Sequence, residues 1–224
     1  MDSTLPALIL GASGGIGQAL AETLAARGLP VTRLSRSADG FDITDPASVD
    51  RHLDALDGPF GLILCATGAL AAPGDRPEKS LRDLDATAMA QQFAVNAIGP
   101  ALVLKHVPRL LPRDQRAVFA ALSARVGSIG DNGLGGWYSY RASKAALNQL
   151  IHTGAIELAR SHRHALCLAL HPGTVATPFT RDYRGRHPAV PPDEAAANLL
   201  GVIESLGPEA TGGFYDWRGE AVPW

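Results

Sequence analysis

The sequence predicts one doubly wound α/β domain, a mostly parallel sheet of about seven strands with helices on both faces. Three observations predict it. Short apolar runs alternate with longer helical patterns along the chain. The runs are continuously apolar, as suits strands buried on both faces of a parallel sheet. A glycine cluster follows the first run directly and opens the first helical pattern.

The strands are read at "ALIL" (7–10), "VTRL" (31–34), "LILC" (62–65), "AVFAAL" (117–122), "ALCLAL" (165–170) and "GGFYDW" (212–217). "GFDI" (40–43) makes a seventh if it runs parallel to "VTRL". Its crossover would then be pared down to a loop, against the dozen or more residues a parallel connection normally needs, and one sheet edge would be thinly covered. Helices are expected at 17–26 and over roughly 87–111, 139–160 and 193–206. The last opens on "PPDEAAANLL", with proline and acids suited to a first turn. No repeat or linker divides residues 1–224, so one domain is expected to carry its own active site. The Pro- and Arg-rich stretch 178–192 reads as a substrate loop.

Composition narrows the function. Among 224 residues 46% are hydrophobic, enough for a sizeable core. Lys+Arg 20 against Asp+Glu 22 gives a net charge of −2, which argues against a polyanion-binding surface and hence against nucleic acid. No stretch approaches the length of a membrane span, and "MDSTLPALIL" has no cationic leader region. A cytoplasmic location is expected. Cys65 and Cys167 sit in separate apolar runs and read as buried reduced thiols. The seven histidines show no metal-ligand spacing, so no metal is expected.

In "ALILGASGGIGQAL", Gly11, Gly14, Gly15 and Gly17 stand between strand and helix. Such a turn lets the backbone approach a ligand, and the helix N-terminus offers free N–H groups to a pyrophosphate. The alternative is a tight turn with no ligand. The second strand ends in "RLSRSADG", without the acidic residue that serves a ribose 2′-hydroxyl. Ser35 and Arg36 there suit a 2′-phosphate, unless Arg36 is only a solvated strand end.

"GGWYSYRASKAALNQL" (135–150) carries two phenols and two cations where a helix begins. Residues four apart share a helix face, so Tyr140 pairs with Lys144, whereas Tyr138 and Arg141 point elsewhere. At ~4 Å and an effective dielectric of ~20, opposite charges attract by about 4 kcal/mol. That would bring the phenol toward neutrality, where a general acid works best. An ordinary surface pair is the bland alternative.

Together these motifs resemble the short-chain dehydrogenase/reductase family, and within it the C-factor and sniffer-like carbonyl reductases. "GASGGIG" (11–17), "FDITD" (41–45), "VNAIGP" (95–100), "YRASK" (140–144) and "HPGTVATP" (171–178) occur in the family's order. The resemblance covers about residue 7 to the C-terminus. It implies a Rossmann-type fold and a nicotinamide cofactor, and Ser35 and Arg36 make that NADP(H) in preference to NAD(H). It further implies hydride transfer between nicotinamide and a small carbonyl or alcohol, and a homodimer or homotetramer. Tyr140 would protonate the carbonyl oxygen, Lys144 would tune the phenol and hold the ribose, and Asn96 would hold a relay water. The cofactor would lie against Ser13, Ile16 and the loop glycines, with Asp42 and Ile43 at the adenine. Cys65, Ala66 and Thr67 would follow, and Pro172, Gly173, Thr174, Val175 and Thr177 at the nicotinamide. Two departures matter. "CATG" (65–68) replaces "NNAG", and in "SARVG" (123–127) the usual catalytic serine is Ala124. Ser123 is taken as its stand-in, with Ser128 as the alternative. The rival reading is a nucleotide-binding signalling or sensor protein of the same fold with little turnover.

Overall fold

The apolar runs become strands of one parallel sheet. A computed structural model describes residues 5–72, 74–181 and 189–224. Six strands, β1 (Ala7–Leu10), β2 (Val31–Leu34), β3 (Leu62–Cys65), β4 (Ala117–Leu122), β5 (Ala165–His171) and β6 (Phe214–Asp216), lie in the order β2-β1-β3-β4-β5-β6. The chain runs outward from β1 to β2 and then returns past β1 to β3. That reversal opens a crevice beyond the carboxyl ends of β1 and β3.

Successive strand residues face opposite ways, so each run feeds two cores. Leu8, Leu10, Ile63, Phe119 and Ala169 face α3 (Pro46–Asp54), α5 (Gly99–Leu110) and α6 (Tyr138–Leu158), among Val49, Leu53, Val103, Val107, Leu147 and Ile151. Ala7, Ile9, Leu64, Val118 and Leu168 face α1 (Gly15–Ala26) and α7 (Pro192–Ser205), among Leu20, Leu24, Leu199 and Ile203. A continuous apolar run is what a doubly covered sheet requires.

The seventh strand is absent among the described residues. After the one-turn helix α2 (Arg36–Asp39), residues 41–44 form a turn. The Asp42 carboxylate accepts from Thr44 N at 2.9 Å and Thr44 Oγ1 at 2.7 Å, a local closure that competes with a sheet ladder. Phe41 and Ile43 are buried all the same, under α3 and α5 instead of in a ladder. Helix α3 escaped the sequence reading, although "TDPASVDRHLD" holds its signals. Asp45 caps Ala47 N at 3.1 Å, Pro46 opens the first turn, and Val49 and Leu53 share the inner face. The helix expected over 87–111 is divided into α4 (Ala86–Phe93), a π-helical segment Ala94–Ile98, and α5.

Gly99, at the head of α5, lets the 41–44 turn approach. An added Cβ would lie 2.7 Å from Ile43 Cγ1 and 2.8 Å from Ile43 O. Gly99→Ala is therefore expected to lose about 1–3 kcal/mol by overpacking. For a chain of this size that lowers Tm by between about 2 and 12 °C in a thermal melt.

Candidate active site

The glycine loop is shaped by close approach. Gly11 has φ +84°, and an added Cβ would lie 3.0 Å from the Thr67 side chain and 3.1 Å from the Ala66 backbone. At Gly17 a Cβ would stand 2.3 Å from Gly11 O, so loop and helix touch backbone to backbone. Helix α1 starts after Gly14 with no side-chain cap and no acidic residue in its first turn. Its leading amides, which have no partner within the helix, meet the crevice.

A cleft of about 370 Å³ occupies this corner. Gly11, Ser13, Gly14, Ser35, Arg36, Asp42, Ile43, Ala66 and Thr67 line it, as the sequence suggested. So do Phe41, Thr44, Gly68 and Val95, which lie within quoted motifs but were given no role, and Ala69, Gln91 and Gln92, which lie outside any motif. Gln92 is 2% exposed and its Oε1 has no partner among the described residues, so a ligand donor would satisfy it. These features fit a dinucleotide: bare amides at one end, an orphaned acceptor inside, and glycines whose Cβ positions are filled by backbone.

The other expected cofactor residues border the cleft without lining it. Gly15 packs under Thr177, whose Cγ2 would lie 2.6 Å from an added Cβ. Gly173 has φ +76° and lies against the Trp217 ring. Val175 is buried, and Thr174 O accepts from Val190 N at 3.0 Å. Cys65 is a free buried thiol in contact with Thr67 Oγ1 at 3.2 Å, and burial pushes its pKa up. Ile16 and Pro172 are carried by the same segments. Residues 182–188 of the expected substrate loop lie outside the described residues.

At the end of β2 the structure adds an acid that the sequence reading passed over. Ser35 is buried and caps α2, its Oγ accepting from Ala38 N at 3.2 Å. The Asp39 carboxylate folds back to accept from Ser35 N at 2.8 Å and from Ser35 Oγ at 3.2 Å. Arg36 is exposed at the mouth of the cleft. Ser35 thus already has partners, whereas Arg36 lies within electrostatic reach of Asp42.

The two phenols and two cations of α6 separate as helical spacing predicts. Tyr140 and Lys144 are 6% and 3% exposed, and Lys144 Nζ stands 5.9 Å from the centre of the Tyr140 ring. Tyr138 is half-buried. Arg141 turns to the preceding loop, donating to Gly136 O at 2.9 Å, Gly135 O at 3.1 Å and Val126 O at 3.2 Å. Trp137 and Phe179 flank the Tyr140 ring at 6.2 and 6.3 Å. Asn96 sits fully buried in the π-helical segment, a distortion frequent at functional sites. Its Oδ1 accepts from Ala69 N at 2.8 Å, and its Nδ2 donates to Ala69 O at 2.8 Å and Ser143 Oγ at 3.1 Å. An added Cβ on Gly68 would lie 3.4 Å from Asn96 Oδ1 and 3.6 Å from Lys144 Nζ, so these groups meet around one glycine.

Neither serine candidate stands free. Ser123 Oγ donates to Asn148 Oδ1 at 2.6 Å, one turn beyond Lys144 on α6. Ser128 Oγ accepts from Asp131 N at 3.1 Å. Ala124 is buried at the head of the turn Arg125–Gly127, two residues beyond β4. Ser123, just past the strand, is taken up by its contact with Asn148.

Burial, not attraction, dominates the electrostatics of the pair. Desolvation pushes the Tyr140 phenol above its ordinary range and lowers Lys144 to about 8, a shift the neighbouring Cys65 opposes. The lowered phenol pKa expected from sequence is therefore not what the protein's own groups produce. The Lys144 ammonium instead donates to Leu122 O at 2.7 Å.

A glycine-bordered crevice at the sheet's reversal, with a buried Tyr–Lys pair beside it, marks the class of dinucleotide-fold enzymes. Residues 6–187 match the sequence profile of the short chain dehydrogenases, and the chain belongs to that family of oxidoreductases. It is 34% identical over 97% of its length, and 98% of the relative's, to the 1-hydroxy-2-glutathionyl-2-methyl-3-butene dehydrogenase of Rhodococcus sp. (strain AD45). It is 35% identical to the C-signal protein of Myxococcus xanthus over 65% of this chain and 84% of that one. A carbonyl reductase from chicken fatty liver, solved with NADPH bound, superposes with a TM-score of 0.80 at 25% identity over 99% of both chains. Among the described residues no cluster suits a metal ion, and no helix is long and apolar enough to cross a membrane.

The depressed Lys144 pKa has a stability consequence. The unfolded chain holds this proton up to about 10.5 and the folded one only to about 8. Folding therefore carries a penalty below pH 8, which is relieved as pH rises toward 10.5. The penalty is on the order of 3 kcal/mol. Lys144→Met lacks it, so the stability gap between variant and wild type is expected to shift toward wild type between pH 8 and 10. Urea unfolding at both values measures this, and a gap that does not change with pH contradicts it.

Proposed function

We propose that this protein is an NADP(H)-dependent carbonyl reductase or alcohol dehydrogenase of small molecules, with Tyr140 as general acid and base. The observation that carries this reading is the burial of Tyr140 and Lys144 side by side, next to Asn96, at the edge of the glycine-bordered cleft. A surface pair would be solvated. A pure nucleotide binder has no need of a phenol buried between two aromatic rings.

NADPH, when bound, supplies the hydride. The leading amides of α1 and the backbone of residues 11–17 would hold its pyrophosphate. Asp42 and Ile43 would flank the adenine and Arg36 the 2′-phosphate, with residues 65–67 and 172–177 closing the ribose and nicotinamide side. Lys144 would hold ribose hydroxyls, and Asn96 would keep the 68–69 backbone in place and with it any relay water. Tyr140 gives its proton to the carbonyl oxygen as negative charge develops there. Burial keeps the phenol protonated at neutral pH, the form this direction consumes. The reverse reaction needs the phenolate and so depends on Lys144 remaining charged. Trp137 and Phe179 limit water at the ring. Exposed apolar side chains on and beside α5 and α6, Ile98, Leu150 and Ile156, support a homodimer or homotetramer, and the free cysteines support a cytoplasmic location.

Ala124 favours a second reading, a weakly catalytic nucleotide-binding sensor, and the similarity to C-signal points the same way. One assay separates the two. Purified protein with NADPH and a panel of aldehydes, ketones and quinones is expected to turn over. Tyr140→Phe should lower kcat by at least about 10²-fold while NADPH still binds, and Tyr138→Phe should be mild. Ala124→Ser should raise kcat, by about tenfold, by restoring a donor near the developing oxyanion. No turnover in either wild type or Ala124→Ser would leave the sensor.

Cofactor choice rests on Arg36. A charge-assisted bond contributes about 1.5–3 kcal/mol, or about tenfold to a hundredfold. Exposure and the nearby Asp39 carboxylate hold the expected preference near tenfold. Arg36→Asp should reverse it and Asp39→Asn should strengthen it, as read from Kd values for NADPH and NADH. Equal affinities throughout would make Arg36 a solvated residue only.

A further inference from the structure

Two carboxylates are buried among the described residues, Asp216 and Glu78. Asp216 closes its own turn by accepting from Arg218 N and Glu220 N. Glu78 has no such local task and is paired with no basic side chain among the described residues. It is 7% exposed and comes from the long connection between β3 and α4, 61 positions from its partner. Its carboxylate accepts from Ser139 N, at 3.3 Å to Oε1 and 3.4 Å to Oε2, and from Ser139 Oγ. Its main-chain oxygen accepts from Trp137 N at 2.6 Å. Helix α6 has no side-chain cap of its own: the cap position is Trp137, held at φ 54° and ψ 43° in the left-handed region that residues with a Cβ avoid. Glu78 thus supplies from a distant segment the acceptor that a cap residue normally supplies, at the positive end of the helix. The residues it holds, 137 and 139, bracket the start of α6 and adjoin Tyr140, whose ring lies against Trp137.

We propose that Glu78 is a positioning residue: through Ser139 and Trp137 it fixes the first turn of α6, and so the angle at which the Tyr140 hydroxyl meets the substrate. This inference rests on the reading of Tyr140 as proton donor. Gly68, Ala69, Ala71 and Ala72 line the cleft from the same connection but lie six or more positions before Glu78, so the proposal predicts a loss in kcat without a loss in cofactor affinity. Misplacing a reacting group by about 1 Å can cost about 10²-fold. The test uses the full chain with Glu78→Ala, Glu78→Gln, Glu78→Asp and Ser139→Ala. Three quantities are measured: kcat for carbonyl reduction, Kd for NADPH, and amide exchange of the peptide spanning 137–141 by mass spectrometry.

Glu78→Ala is expected to lower kcat by about tenfold to a hundredfold, with Kd for NADPH within about twofold of wild type. Glu78→Gln should recover most of the rate, because its amide oxygen still accepts from Ser139. Glu78→Asp, one methylene short, should resemble Glu78→Ala. Exchange at 137–141 should quicken in the slow variants only. The proposal is overturned if Glu78→Ala matches wild type in kcat and exchange, or if its kcat and NADPH affinity fall together without rescue by Gln, which is plain loss of fold. A wild type with no turnover sinks the Tyr140 reading instead. Exchange at 137–141 then still decides whether Glu78 holds the turn.

Discussion

The candidate active site is built around one buried ammonium, that of Lys144. Lys144 Nζ donates to the carbonyl of Leu122 at the end of β4. That contact seats α6 on the sheet, and neighbouring features are fitted to it. Gly127 has no Cβ because one would lie 2.8 Å from Lys144 Cβ. Ser123, the next residue after Leu122, bonds Asn148 one turn further along α6. The same helix face therefore offers phenol, ammonium and amide at positions 140, 144 and 148, one per turn. Of these, Asn148 is engaged by Ser123. Keeping a cation here costs stability, which a purely structural residue would not demand, and functional sites are where such costs are retained.

That same burial shows where sequence logic held and where it failed. The strands were legible because a doubly covered sheet imposes continuous apolar runs, and the Tyr140–Lys144 partnership because helical spacing is nearly invariant. The sign of the phenol's shift was not legible. Spacing reports which groups meet, but desolvation depends on everything packed around them, including Trp137 and Phe179 from separate segments. The turn at 41–44 failed for a related reason. Its apolar residues are buried like a strand's, yet a side-chain acceptor two residues before Thr44 closes the backbone on itself. Gln92 and Glu78 were invisible because the burial of the one and the partner of the other, 61 positions away, are set by tertiary packing.

Ala124 is the departure from the family pattern with most chemical weight. Where a serine hydroxyl would share the developing negative charge, this chain offers a methyl group. The hydroxyls on either side, Ser123 and Ser128, are held by Asn148 and Asp131. Tyr140 would then act with fewer helpers, and the precision of its placement matters more. A donor acting alone loses rate steeply with misalignment, whereas a pair can share the error. In that light an anchor such as Glu78 on the first turn of α6 is the kind of compensation the substitution calls for.

The two ends of the cleft also differ in dielectric, and this divides affinity from chemistry. At Arg36 the corner is open and its charges are screened within about 10 Å at ordinary ionic strength. Contacts there discriminate between cofactors weakly and in a salt-dependent way. Lys144 and Tyr140 are buried, so charges there are screened less than at the cleft mouth and small displacements matter more. A substitution near β2 should therefore shift Kd with little effect on kcat. A substitution along the seam of β4 and α6 should do the reverse. The connection from β3 to α4 joins these regimes, since Ala69 is clamped by Asn96 in the cleft while Glu78 holds the helix start.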